Sequence, residues 1–126
     1  GSTAIHGEAG VTSSGSTGAT TNLQQGLCKH WVSFDPLNSN NLDDSFNNGS
    51  VTDNGTGQFT FTNTNNMGNA VHAPLIGSEI QSEYRDSADS ILSAGRTTTT
   101  MKAFHVENNS SADNGILTMH TWGDLA

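Results

Sequence analysis

Ser45-Phe46-Asn47-Asn48-Gly49-Ser50-Val51-Thr52-Asp53-Asn54-Gly55-Thr56-Gly57-Gln58-Phe59-Thr60-Phe61-Thr62 is the stretch that decides the fold class. Two runs of β-forming residues flank Asn54-Gly55, the dipeptide best able to hold successive residues at positive φ, as a two-residue type I′ turn requires. Beyond the turn, Phe59 and Phe61 alternate with Gln58, Thr60 and Thr62, so one face is aromatic and the other carries hydroxyls. That period of two marks a half-buried antiparallel strand. A longer loop built on Gly55 and Gly57 keeps the hairpin and shifts its register. The stretch predicts a β-hairpin with either register open.

Around it lies an unusual composition. Hydrophobic residues are 32% of the 126, against roughly 45–50% in an average globular chain. Leu, Ile, Val and Phe number 23, while Gly, Ser, Thr and Asn number 59. Charged residues are only 13%, so the chain is no polyelectrolyte tail. Thr suits strands and Asn, Gly and Ser suit turns, which indicates a polar, turn-rich β domain. A core this lean is marginal alone, because ordering each residue costs roughly 1–2 kcal/mol of entropy. Burial against identical partners is therefore expected. The net charge of −8, with only Lys29, Arg85, Arg96 and Lys102 as bases, argues against nucleic-acid binding, which needs clustered Lys and Arg. Cys28 is the single cysteine, so no internal disulfide builds the fold. No run approaches the roughly 18 apolar residues of a membrane span, and membrane insertion is not expected.

Residues 1–25 read as an extended Gly/Ser/Thr-rich arm or linker. The texture changes at Gly26, and residues 26–126 read as one β domain. Residues 27–35 form its first strand, with Cys28, His30, Val32 and Phe34 on one face and Lys29, Trp31 and Ser33 on the other. Pro36 stops it. Either both faces of this strand are covered or a bulge near Trp31 breaks the register. A short strand over residues 70–73 ends at Pro74 and resumes at Leu75. Residues 78–96 read as an irregular excursion with a short helical turn, from the spacing of Ile80, Tyr84, Ala88 and Ile91. A strand follows over residues 97–106, with Met101, Ala103 and His105 on one face. The last, over residues 116–122, sets Ile116, Thr118, His120 and Trp122 against Leu117, Met119 and Thr121. About six strands between Asn/Gly/Ser loops predict an all-β fold, a small antiparallel, jelly-roll-like β-sandwich.

The candidates for chemistry are sparse. His6, His30, His72, His105 and His120 include no H-x-H or H-x-x-x-H pair, and Cys28 has no C-x-x-C partner. His105 and His120 lie on the last two predicted strands, where they could face each other. Asp43-Asp44, and Asp86 with Asp89, offer loop carboxylates for calcium, but a turn explains Asp53-Asn54-Gly55 without it. No nucleophile elbow, phosphate loop or framed carboxylate pair is present. No enzyme activity, cofactor or metal is predicted. Trp31, Tyr84 and Trp122 are the candidate glycan or partner contacts, set against the alternative that tryptophan in a β protein simply fills core.

Three blocks carry a family resemblance: residues 29–35 (Lys-His-Trp-Val-Ser-Phe-Asp), residues 44–47 (Asp-Ser-Phe-Asn), and residues 50–61 from Ser50-Val51-Thr52-Asp53 to Phe61. Together they resemble a β domain of phage tail-fibre and other virion appendage proteins, particularly of marine phages. There the pattern reads approximately K-A-W-V-N-F, then S-F-N-V-S-S-(V/I)-T-D-N-G-T-G-(D/R)-(Y/F)-T-V-N-F. The closing strand after Asp113-Asn114 is similar too. The likeness covers residues 26–62 well, 101–124 loosely, and neither 1–25 nor 63–100. His30 replaces a small residue, extra Asn and Ser lie near residues 37–41, and Asn48-Gly49 replaces an aliphatic-Ser pair, a departure that predicts a bulge. The resemblance implies a virion structural protein, assembled in the host cytoplasm: a homotrimeric fibre, spike or surface appendage. Residues 1–25 would bind other virion proteins, and the β module would contact a host surface glycan or protein. A capsid decoration protein and a carbohydrate-binding module are the alternatives. The module carries no catalytic residues to transfer.

Overall fold

The computed structural model describes residues 10–12, 20–22, 26–39, 41–79, 87–107, 110–113 and 115–126. In chain order the strands are β1 (Gly10–Thr12), β2 (Thr20–Asn22), β3 (Cys28–Asp35), β4 (Asn41–Phe46), β5 (Asn48–Asp53), β6 (Gln58–Asn63), β7 (Ala73–Ser78), β8 (Ser87–Ile91), β9 (Thr100–Glu107), β10 (Ser110–Ser111) and β11 (Leu117–Trp122). β1 and β2 pair only with each other. The remaining nine form two antiparallel sheets, one ordered β4-β3-β11-β7 and the other β5-β6-β9-β8, with β10 also paired to β9. The protein is an all-β sandwich.

Period-two patterning puts the core between the sheets. Val32, Phe34, Leu117 and Met119 come from the first sheet, and Phe59, Phe61, Met101 and Ala103 from the second; all eight are buried. Phe34 meets both phenylalanines of β6 edge-on, with ring centroids 4.9 Å from Phe59 and 5.7 Å from Phe61. Such T-shaped pairs set the electropositive ring edge against the electronegative face of the neighbour. Thr121, fully buried, donates its hydroxyl to the Met101 thioether across the gap, 2.9 Å away.

The β5–β6 hairpin forms with the longer loop. Asp53 pairs with Phe59, and the Asn54 N–H donates to the Gln58 carbonyl. Gly55 and Gly57 sit at φ +119° and +67°, whereas Asn54 is not among the positive-φ residues. The type I′ turn is therefore replaced by a loop whose left-handed positions fall at 55 and 57. Gly57 is wedged under β9 and the segment that follows β10: a Cβ there would strike the His105 carbonyl and lie 2.8 Å from the Ala112 nitrogen. Asp113 Oδ1 accepts from its N–H at 2.6 Å.

The upstream arm of that hairpin is not one strand. Ser45 and Phe46 end β4 in the first sheet, and β5 starts in the second only after Asn47, at φ +58°. The Asn47 side chain donates to the carbonyls of Lys29 (2.9 Å) and Asn65 (3.0 Å), and its oxygen accepts from the Asn65 N–H at 2.6 Å. A bulge follows at once between Asn48 and Ser50, where the departure at Asn48-Gly49 predicts one.

Other expectations are revised. Pro74 lies inside β7 rather than ending a strand, tolerated because β7 is at the sheet edge. Residues 87–91 form β8, not a helical turn; only a 3-10 turn at Ser93–Gly95 follows, and 80–86 lie outside the described residues. Thr97 makes a turn by accepting from the N–H groups of Thr99 and Thr100, so β9 starts at Thr100. The register of β3 does break near Trp31, at Lys29 against β11 and between Ser33 and Phe34 against β4.

Four substitutions at three positions test this frame. Gly55→Ala, whose Cβ would meet nothing within 4 Å, is expected to cost about 1–2 kcal/mol from its backbone conformation alone. Gly57→Ala adds backbone overlap and is expected to cost clearly more in chemical denaturation; equal losses would contradict the wedge. Asn47→Gly keeps the left-handed conformation and loses the three side-chain hydrogen bonds, at about 0.5–1.5 kcal/mol each. Asn47→Ala adds the conformational cost and is expected to be the less stable of the two.

Candidate functional surface

Because β3, β4, β7 and β11 send alternate side chains inward, the others form the outer face of the four-stranded sheet. Cross-strand register sets these in rows. Trp31 pairs with Phe46 on β4 and with His120 on β11, and His120 pairs with Leu75 on β7. Phe46–Trp31–His120–Leu75 is thus one row of three rings and a leucine across all four strands. Phe46 is 52% exposed and Leu75 61%, while Trp31 and His120 are half-buried. Trp122, two residues beyond His120, stands on the same face with its ring centroid 6.1 Å from the imidazole. On the other side of the row, Ser33 pairs with Asp44 and with Thr118, and Thr118 with Gly77. A polar row Asp44–Ser33–Thr118–Gly77 therefore runs parallel to the ring-bearing one, roughly 7 Å away along the strands.

Of the three aromatic contacts expected, Trp31 and Trp122 are brought together on this face, and Tyr84 lies outside the described residues. Neither tryptophan fills the core. Phe46 and Leu75 complete the row without having been expected there, and His120 joins it as a ring on the sheet face instead of facing His105. The period-two pattern of β11 already placed His120 with Trp122, but which residues of β4 and β7 stand opposite depends on pairing that no local pattern encodes.

Among the described residues, the titratable groups form no compact cluster of metal ligands. His105 points inward from β9, whereas His120 points outward from β11, so the two do not face each other. Among the described residues, no three of His, Cys, Asp and Glu are placed to hold a metal. Asp43 accepts from the Asn41 amide, Asp44 from the Ser45 N–H, and Asp53 from the Gly55 N–H, local bonds of strand and turn. Asp86 lies outside the described residues. A cleft of about 350 Å³ is lined by Lys29, Asp124, Leu125 and Ala126.

Behind the ring-bearing row lies His30, fully buried on the inner side of β3. Its Nε2 bonds Asn48 Oδ1 at 3.2 Å, which requires the proton on Nε2, and its Nδ1 has no partner among the described residues. Burial holds the imidazole below its ordinary value; the Asn48 bond opposes this and the nearby His72 and His120 reinforce it. The unfolded chain thus takes up a proton near pH 6.5 that the folded protein resists. Stability is full above that value and falls as the pH drops toward the folded pKa. Melting curves from about pH 7.5 to 5.5 are expected to show this fall, and His30→Gln to flatten it; an unchanged slope in the variant would assign the effect elsewhere.

Comparison of the chain with protein-family models, with curated proteins and with solved structures finds no match, so the rows of the outer sheet face and the β-sandwich that sets them carry the functional argument.

Proposed function

We propose that this chain is a phage virion protein: a homotrimeric β-sandwich module of a fibre, spike or surface appendage that works by binding and assembly, not catalysis. The observation that carries this reading is the ring-bearing row on the outer face of the four-stranded sheet. In a chain so poor in apolar residues, aromatic rings held outside the core mark a contact surface. The resemblance over residues 26–62 supplies the virion setting. A core cluster of only eight buried hydrophobic residues among the described residues supports stabilisation by identical neighbours, and residues 1–25 would fasten the module to the particle.

Antibody labelling of intact particles is the decisive experiment, with signal expected on tail fibres or spikes. Signal on capsid lattice points would instead identify a decoration protein, and no particle-bound signal would end the virion reading. Native mass measurement of the full chain at micromolar concentration is expected to give a trimer. A stable folded monomer would refute that part.

A further inference from the structure

We propose that the outer face of the four-stranded sheet is a platform for a neutral oligosaccharide, with Trp31, His120 and Trp122 as stacking rings and Asp44, Ser33 and Thr118 as the edge that reads hydroxyl groups. This deepens the reading of that face as the contact surface and rests on it.

A sugar ring is amphipathic in a particular way: its C–H groups form an apolar face, and its hydroxyls form a polar rim. The sheet repeats that division. The rings of Phe46, Trp31 and His120 span two strand-to-strand spacings, about 10 Å, with Leu75 one spacing beyond, which suits a short oligosaccharide lying across the strands. Beside it the polar row provides a carboxylate and two hydroxyls on the same face. Gly77 ends that row without a side chain, and even an added Cβ there would meet only Thr118 Oγ1, at 3.5 Å.

Charge and size narrow the occupant. The only Lys or Arg in the four strands is Lys29, which is buried with its Nζ bonded to the Leu27 carbonyl. Asp43 and Asp44 are exposed on β4, and the chain carries −8 overall. An anionic polymer would be repelled. Four strands of about six residues present roughly 400 Å² of face, about half of what one partner contributes to a stable protein interface. A second copy of the chain is thus a poor fit for this face alone, whereas a small neutral ligand fits.

Trp31 and Trp122 are the only tryptophans, so the intrinsic emission of the unmodified chain reports occupancy directly. The full chain is titrated with cello-, chito- and manno-oligosaccharides from trimer to hexamer, with oligogalacturonate as the anionic control. A saturable emission change with a neutral series is expected, together with a loss of about tenfold or more in affinity on Trp31→Ala. The exposed Phe46→Ala, which leaves the core untouched, is expected to weaken binding less, and Asp44→Ala to weaken it without altering the far-ultraviolet spectrum. No response to any neutral series, response only to the anionic control, or affinity unchanged in both Trp31→Ala and Phe46→Ala would overturn the platform. Those results leave the labelling experiment free to support the virion reading. Conversely, glycan binding by a chain that labels no particle would sustain the platform and remove the virion setting.

Discussion

The sandwich depends on one residue that lets the chain change sheets. Asn47 separates β4 from β5 by turning the backbone through the left-handed region, φ +58°, which asparagine tolerates better than most residues. Its side chain also ties the corner together, bonding Lys29 in the first sheet and Asn65 in the loop after β6 of the second. The Asn48 side chain then bonds His30 behind the corner. Without such a switch, the run from Asn41 to Asp53 would continue as a single strand. Phe46 and Val51 would then belong to one sheet, and the two-layer core would not close.

Closure creates two faces with opposite chemistry on the same strands. On β3, Val32 and Phe34 enter the core while Trp31 and Ser33 look outward; on β11, Leu117, Met119 and Thr121 enter while Thr118 and His120 look outward. The inner face is buried and set by edge-on phenylalanine contacts. The outer one combines partly exposed rings with hydroxyls and a carboxylate. Large residues of a lean chain are thus divided between the core and the outer sheet face. Among the described residues, no three of His, Cys, Asp and Glu are grouped to hold a metal on either face.

Much of this was legible locally. Alternation around Phe59, Met101 and Leu117 identifies strands and their inward residues, because burial of one face imposes a period of two. The replacement of an aliphatic-Ser pair by Asn48-Gly49 flagged the bulge. Legibility failed where short-range and long-range demands compete. Asn54-Gly55 satisfies a two-residue turn locally, yet Gly57 must pass under the backbone of His105 and Ala112, and that contact selects the longer loop. Pro74 reads as a strand end, but an edge strand loses nothing by lacking one outward N–H. The helical spacing of Ala88 and Ile91 yields to the open edge of β9, where β8 pairs.

By itself, the sequence determined the fold class, the inward residues of the main strands and the absence of a familiar catalytic frame, since these follow from periodicity and residue type within a few positions. Tertiary structure alone decided that the chain crosses between sheets at Asn47. It alone aligned Phe46, Trp31, His120 and Leu75 in one row. Both outcomes rest on register between segments up to about ninety positions apart. A one-residue slip in any of those pairings reverses which face a side chain joins, and only packing of the whole core fixes the choice.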